Sequence, residues 1–199
     1  MAEPKLLVST GCFIGRLNQF NPYLAVEYLP QFQCDGFELL VYDAWHSRRE
    51  ELCSLFHKAS LVPTSVHMSK QIGISLAENT SESCAFADSL FEDDVRFAHA
   101  LGARVLVLHF WGGPCSDSAL ETAYDRVVRY NQIARDHGLI LTIENIPCRE
   151  NMPLAIWTEL ASLCPEIRFI FDTRFGAFHG DTYDILRSPL WPMVAHMHL

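Results

Sequence analysis

The sequence predicts a single α/β domain, built as a barrel of parallel strands with helices outside. Three observations carry that expectation. Short apolar, β-branched runs alternate with stretches of helical periodicity along the chain, the pattern of parallel β/α units. Polar residues close at least five of those runs. A barrel gathers its site from many strand ends, whereas an open doubly wound sheet concentrates it at one switch point. Finally, the first strand leads into Thr10-Gly11-Cys12-Phe13-Ile14-Gly15, which lacks the GxGxxG phosphate loop usual in the open alternative.

The elements follow in order. Lys5 to Thr10 is a first strand. Asn21 to Leu29 is a helix, with Asn21 as N-cap and Pro22 at its first position, where a missing N–H costs nothing. Gly36 to Tyr42 is the second strand and Ser47 to Ser60 a helix with a Ser cap. Pro63 to Met68 is the third strand, and Ser69 to Thr80 reads as a loop. A long helix runs from Ser81 to about Leu101, with Gly102 as its stop. Arg104 to Phe110 is the fourth strand, followed by the turn Gly112-Gly113-Pro114. Ser118 to His137 is helical, with apolar residues at Ala119, Ala123, Val127, Tyr130 and Ala134, and Gly138 ends it. Leu139 to Pro147 is the fifth strand, Met152 to Leu163 a helix broken by Pro165, and Ile167 to Asp172 the sixth strand. Thr182 to Leu186 is a short helix, bounded by Pro189 and Pro192, before the seventh strand, Val194 to Leu199.

The bulk numbers agree with one domain spanning 1–199. The chain has 199 residues, 49% apolar and 20% charged, with a net charge of −9. That length holds a large core. The acidic balance disfavours nucleic acid as a partner. No apolar run reaches the length of a membrane span, and MAEPKLLVSTGCF does not read as a signal peptide. The seven cysteines are odd in number and lack CxxC spacing. Reduced thiols and a cytoplasmic location are therefore expected. No base is paired with any of them, which argues against a thiol nucleophile.

Glu144, Asp172 and His198 are the chemically informative residues, each at the carboxyl end of its own strand. Side chains alternate along a strand, so Thr142 and Glu144, Ile170 and Asp172, and His196 and His198 share faces. If those faces point inward, two carboxylates and an imidazole meet, a donor set suited to Mn²⁺, Mg²⁺, Co²⁺ or Zn²⁺. Each residue taken singly also reads as a hydrogen-bonded strand end. His67 and His109 end strands three and four, as metal ligands, substrate donors or loop caps. Glu38 lies mid-strand, where an unpaired carboxylate is costly, so it belongs either to a site or to a structural ion pair. Trp111 is either an apolar wall for a sugar face or core packing. His46, His57, His99 and His137 fall in loops or helices, as surface or packing residues.

In the order and spacing of its motifs the chain resembles the xylose isomerase-like TIM-barrel superfamily. These are GFELL in strand two, VHM in three, VLHFWGG in four, LTIENIP in five, FIFDTRFGAFHG in six and AHMHL in seven. The superfamily includes sugar phosphate isomerases and epimerases, and abasic-site endonucleases of the endonuclease IV kind. The resemblance implies a metal set of Glu144, Asp172, His198 and a glutamate from an eighth strand. It makes Glu144 a proton-transferring base in an enediolate-type isomerisation or epimerisation of a sugar or sugar phosphate. It also implies Glu150 as a substrate contact, and His67 and His109 as substrate groups or, in the endonuclease branch, ligands of further metal ions.

Two departures qualify this. Phe175 stands where the family often has histidine, which weakens the substrate inference and opposes a three-metal endonuclease site. Arg174 beside it either holds a carboxylate or phosphate or reaches solvent. The chain also stops one residue past His198, so the expectation is a barrel truncated after strand seven, without the second glutamate. Two-base epimerisation by this chain alone is then not expected, and a non-catalytic barrel remnant becomes a third reading. Unpaired edges at strands one and seven favour association, which leaves a homo-oligomer open.

Overall fold

The computed structural model describes residues 3–114, 116–118 and 120–199. Ala119, read above as part of a helix face, and Cys115 lie outside them. Seven strands, β1 (Leu7–Ser9), β2 (Gly36–Leu40), β3 (Ser65–His67), β4 (Val105–Leu108), β5 (Ile140–Glu144), β6 (Arg168–Asp172) and β7 (Val194–His198), form one sheet in sequential order. Every neighbouring pair is parallel. Sequential order has no switch point and discards the doubly wound alternative.

The sheet is curled. In a flat sheet β2 and β7, five steps apart, would lie about 24 Å from each other at roughly 4.8 Å per step. Yet His198 Nε2 of β7 stands 3.1 Å from Glu38 Oε1 of β2. Only a strongly rolled sheet brings those inner faces together. The result is a curled part-barrel, consistent with the TIM-type α/β class.

Helices cover the outer face: α1 (Tyr23–Tyr28), α2 (Arg49–Lys58), α3 (Gln71–Ala77), α4 (Ser81–Ala100), α5 (Glu121–Asp136), α6 (Pro153–Leu163), α7 (Thr173–His179) and α8 (Thr182–Arg187). Asn21 does cap α1, its Oδ1 accepting the Tyr23 N–H at 3.1 Å. Thr80 and Ser83 cap α4 reciprocally through side chain and backbone, satisfying two N–H groups that the first turn otherwise leaves open. The core lies between sheet and helices. There Phe91 stacks on Tyr130 at 3.9 Å and Trp157 on Phe169 at 4.5 Å.

Two helices depart from the sequence expectation. Helix α3 occupies the stretch expected to be a loop, because Ile72 and Leu76 are fully buried against the core. Helix α7 starts directly after β6, with no turn residues between. Its N-cap is Asp172 itself, whose Oδ1 accepts the Phe175 N–H at 2.9 Å. No helix among the described residues is long and apolar enough to cross a membrane.

Candidate metal centre

The inner face of the rolled sheet collects seven ionisable side chains from six strands or strand ends. Glu144 is at their centre. Its Oε1 lies 2.8 Å from His198 Nδ1. Its Oε2 lies 2.7 Å from His109 Nε2 and 3.4 Å from His67 Nε2. His198 Nδ1 is also 3.7 Å from Asp172 Oδ2. Glu38 lies deeper, with His196 Nε2 at 3.2 Å from its Oε2. By strand register Glu144 is level with Ile170 and Ile170 with His196, while Asp172 pairs with His198 two residues further along.

Asn145 ties the two carboxylate-bearing strand ends together. Its Oδ1 accepts the Asp172 N–H at 2.6 Å, and its Nδ2 donates to the Asp172 carbonyl at 3.1 Å. The side chain is fully buried, so this pair of bonds fixes the spacing of Glu144 and Asp172 in a dry environment. The polar Glu144-Asn145 pair closing an apolar run was the sequence signal for it.

Burial by itself pushes the Glu144 carboxyl up, but the imidazoles of His109, His198 and His67 outweigh it and hold the group well below the usual carboxylate range. Glu38 behaves alike: burial raises it, and hydrogen bonds from His196 and His198 bring it down further. For His198, burial works against charge, yet the bonds to Glu144 and Glu38 lift it to about 10. Burial wins at His109, taking it down to about 4 despite Glu144. These directions favour ionised Glu144 and Glu38, a charged His198 and a neutral His109 at neutral pH.

Two triangles of donor atoms share Glu144. One is Glu144, Asp172 and His198, the other His67, His109 and Glu144, and in each the atoms lie within 4.8 Å of one another. Carboxylate oxygens with imidazole nitrogens suit a hard or borderline divalent ion. One further observation fits a cation. Glu144 Oε2 is buried and receives no directed hydrogen bond, although His109 Nε2 stands at 2.7 Å. The imidazole is close but off the hydrogen-bond line. The misaligned imidazole leaves this oxygen poorly satisfied, and an ion among these donors would complete its coordination.

Not every expected residue joins the cluster. Trp111, open between a wall and core packing, is fully buried and its indole N–H donates to the Pro147 carbonyl at 3.0 Å. It packs in the core and is not among the residues lining the cleft beside the cluster. Glu150 is exposed on the loop after β5. Arg174 is exposed on α7, its guanidinium 5.0 Å from the centre of the Phe175 ring. Beside the cluster opens a cleft of ≈ 200 Å³, lined by Lys70, Ile74, His109, Gly112, Gly113, Ile146, Pro147 and Phe175. Neither Lys70, the N-cap of α3, nor Asp117 carries a signal in the sequence. The buried Asp117 carboxylate accepts the successive N–H groups of Arg149, Glu150 and Asn151 and so shapes the loop that carries Glu150.

No family model and no curated protein sequence matches the chain. Solved structures do. The 3-keto-D-glucoside 4-epimerase from E. coli superposes with a TM-score of 0.73 at 15% identity, covering 98% of this chain and 78% of that one. A D-allulose 3-epimerase from Methylomonas sp., in complex with D-allulose, gives 0.72 at 18%, covering 100% and 73%. A xylose isomerase domain protein from Planctomyces limnophilus gives 0.66 at 13%, covering 99% and 74%. The chain shares the parallel α/β fold of these structures, rolled into a part-barrel. In this fold the carboxyl ends of the strands form the face that a barrel uses for its site, and that is the face on which Glu144, Asp172 and His198 meet.

Proposed function

We propose that the protein is a divalent-metal-dependent isomerase or epimerase of a sugar or sugar phosphate, working by proton transfer through an enediolate. The observation that carries this reading is the convergence of buried Glu144 and Asp172 with half-buried His198 within 4.8 Å. Those three residues would hold the ion, which supplies a Lewis acid to polarise a substrate carbonyl. Glu144, kept ionised by its imidazole neighbours, takes the proton from the carbon beside that carbonyl. Neutral His109, at the mouth of the cleft, hydrogen-bonds a substrate hydroxyl. Ile74, Ile146, Pro147 and Phe175 give the cleft an apolar wall. Lys70 on its lining and exposed Arg174 nearby are the cations available to a phosphate.

The test is proton exchange. Candidate ketoses, aldoses and their phosphates are incubated with the protein and Mn²⁺ or Co²⁺ in D₂O, and deuterium at the carbon next to the carbonyl is followed by NMR. Exchange that needs metal and disappears in Glu144→Gln supports the proposal. Failure of every candidate to exchange counts against it.

A second reading draws on the other donor triangle, His67, His109 and Glu144. Two cations sharing one carboxylate suit phosphodiester hydrolysis of the endonuclease kind. The net charge of −9 opposes it. Duplex DNA bearing an abasic site, cleaved in the presence of Zn²⁺, would favour this reading over the first.

A further inference from the structure

Glu38 is the one carboxylate of the cluster that belongs to neither triangle around Glu144, and it is 3% exposed. It sits in mid-strand on β2, below the layer of Glu144. Its Oε2 accepts from the Ser65 hydroxyl at 3.1 Å and stands 3.2 Å from His196 Nε2, and the Ser9 hydroxyl reaches Oε1 at 3.4 Å. These three groups, from β3, β7 and β1, hold the carboxylate in place. Its remaining contact is the informative one. His198 Nε2 lies 3.1 Å from Oε1 and 3.2 Å from Oε2.

An imidazole nitrogen so close to a carboxylate must carry a hydrogen, since two lone pairs would repel. Nε2 of His198 is therefore an N–H donor to Glu38. The other ring nitrogen, Nδ1, faces Glu144 Oε1 at 2.8 Å and Asp172 Oδ2 at 3.7 Å. That is the nitrogen whose lone pair becomes free when a cation takes the place of its proton. A ligand histidine commonly gives its second N–H to a carboxylate, which fixes its tautomer and ring orientation.

We propose that Glu38 is a positioning residue that holds His198 in its Nε2–H tautomer and so presents Nδ1 to the cation site of Glu144 and Asp172. The inference rests on the metal-dependent reading above. One competing arrangement satisfies the same distances: Glu38, His196 and His198 also form a triangle within 4.8 Å and by geometry alone are a cation site themselves. That occupation requires the opposite tautomer, with the Nε2 lone pair on the ion. The two arrangements are therefore separated by one nitrogen.

The experiment labels histidine with ¹⁵N in the wild-type protein, adds Zn²⁺, and reads the state of each His198 nitrogen from long-range ¹H–¹⁵N spectra. Metal affinity is measured alongside by calorimetry for wild type and Glu38→Gln. The expected result is a protonated Nε2 and a metal-bound Nδ1, with affinity falling roughly 10–100-fold in Glu38→Gln. Metal on Nε2 overturns the proposal, as does a variant that binds Zn²⁺ as tightly as wild type. If Glu38→Gln fails to fold, the wild-type tautomer alone decides. Wild-type protein that takes up no Zn²⁺ at millimolar concentration overturns the metal reading and this role together. Binding by wild type matched by the variant overturns the positioning role alone.

Discussion

Replacing Gly73 with alanine sets two opposed effects against each other. Gly73 lies inside α3, and an interior glycine costs a helix roughly 0.8–1.0 kcal/mol relative to alanine. By propensity alone, Gly73→Ala should stabilise. The neighbours point the other way. A Cβ there would lie 2.4 Å from the carbonyl oxygen of His109 and 2.5 Å from that of Trp111. Both atoms are backbone and cannot rotate aside as the tip of a lysine could. Overpacking of this kind costs about 1–3 kcal/mol, and two simultaneous backbone clashes place it at the upper end. The expected net is a loss of about 1–2 kcal/mol, or a melting temperature lower by about 2–8 °C for a chain of this size. Urea denaturation and thermal melts measure it. Gly15→Ala is the control, because a Cβ there meets nothing within 4 Å and its extended backbone suits alanine. A Gly73→Ala protein more stable than wild type by the propensity term would refute the close approach of α3 to the His109 segment.

Three other outcomes follow from the same coordinates. Mn²⁺ or Co²⁺ at a hundred times its dissociation constant should stabilise the protein by about 2.7 kcal/mol, raising the melting temperature by about 5–11 °C. Glu144→Gln should abolish that rise, and a wild-type protein that shows none counts against a competent centre. Asp117→Asn should cost about 1.5–3 kcal/mol at neutral pH, since hydrogen bonds to a charged acceptor are lost. Burial raises the Asp117 carboxyl, but the N–H groups of Asn151, Arg149 and Glu150 hold it below its ordinary 3.8. Its stabilisation is therefore present above pH 3.8 and fades as the pH falls through the folded-state value. The gap between wild type and variant should close on acidification, and a gap unchanged by pH rules out the charged acceptor. Thr80→Ala removes the cap of α4 and should cost about 1 kcal/mol, read by urea denaturation; an unaltered midpoint would mean that the cap is replaced by water.

The residues that form the centre were legible because each closes an apolar run. A strand buried on both faces tolerates a carboxylate or imidazole at its end when something there partners it, and Glu144, Asp172 and His198 all announce themselves this way. Parallel order was legible from alternation alone. Glu38 was visible as a buried charge, but its partners on β7 lie nearly 160 positions away, and only the roll of the sheet brings them close. Trp111 left two readings open, since an indole serves a wall or a core equally well until its exposure is known. Helix α3 was hidden by its length and its glycine, which read as punctuation although the chain needs Gly73 for clearance. Asp117 gave no signal because its partners are backbone amides, which are the same whatever residues carry them.

Asp172 divides its two oxygens between separate duties. Oδ1 closes the first turn of α7, while Oδ2 faces His198. The helix it closes carries Phe175, part of the cleft wall. On the metal reading proposed above, replacing this carboxylate with a side chain that cannot cap α7 changes the ion's ligand and also loosens the surface against which a bound molecule would lean. On that reading ion preference and fit to the guest are coupled: a swap to histidine turns both, whereas asparagine keeps the Oδ1 acceptor that closes α7 and changes the ion's ligand alone.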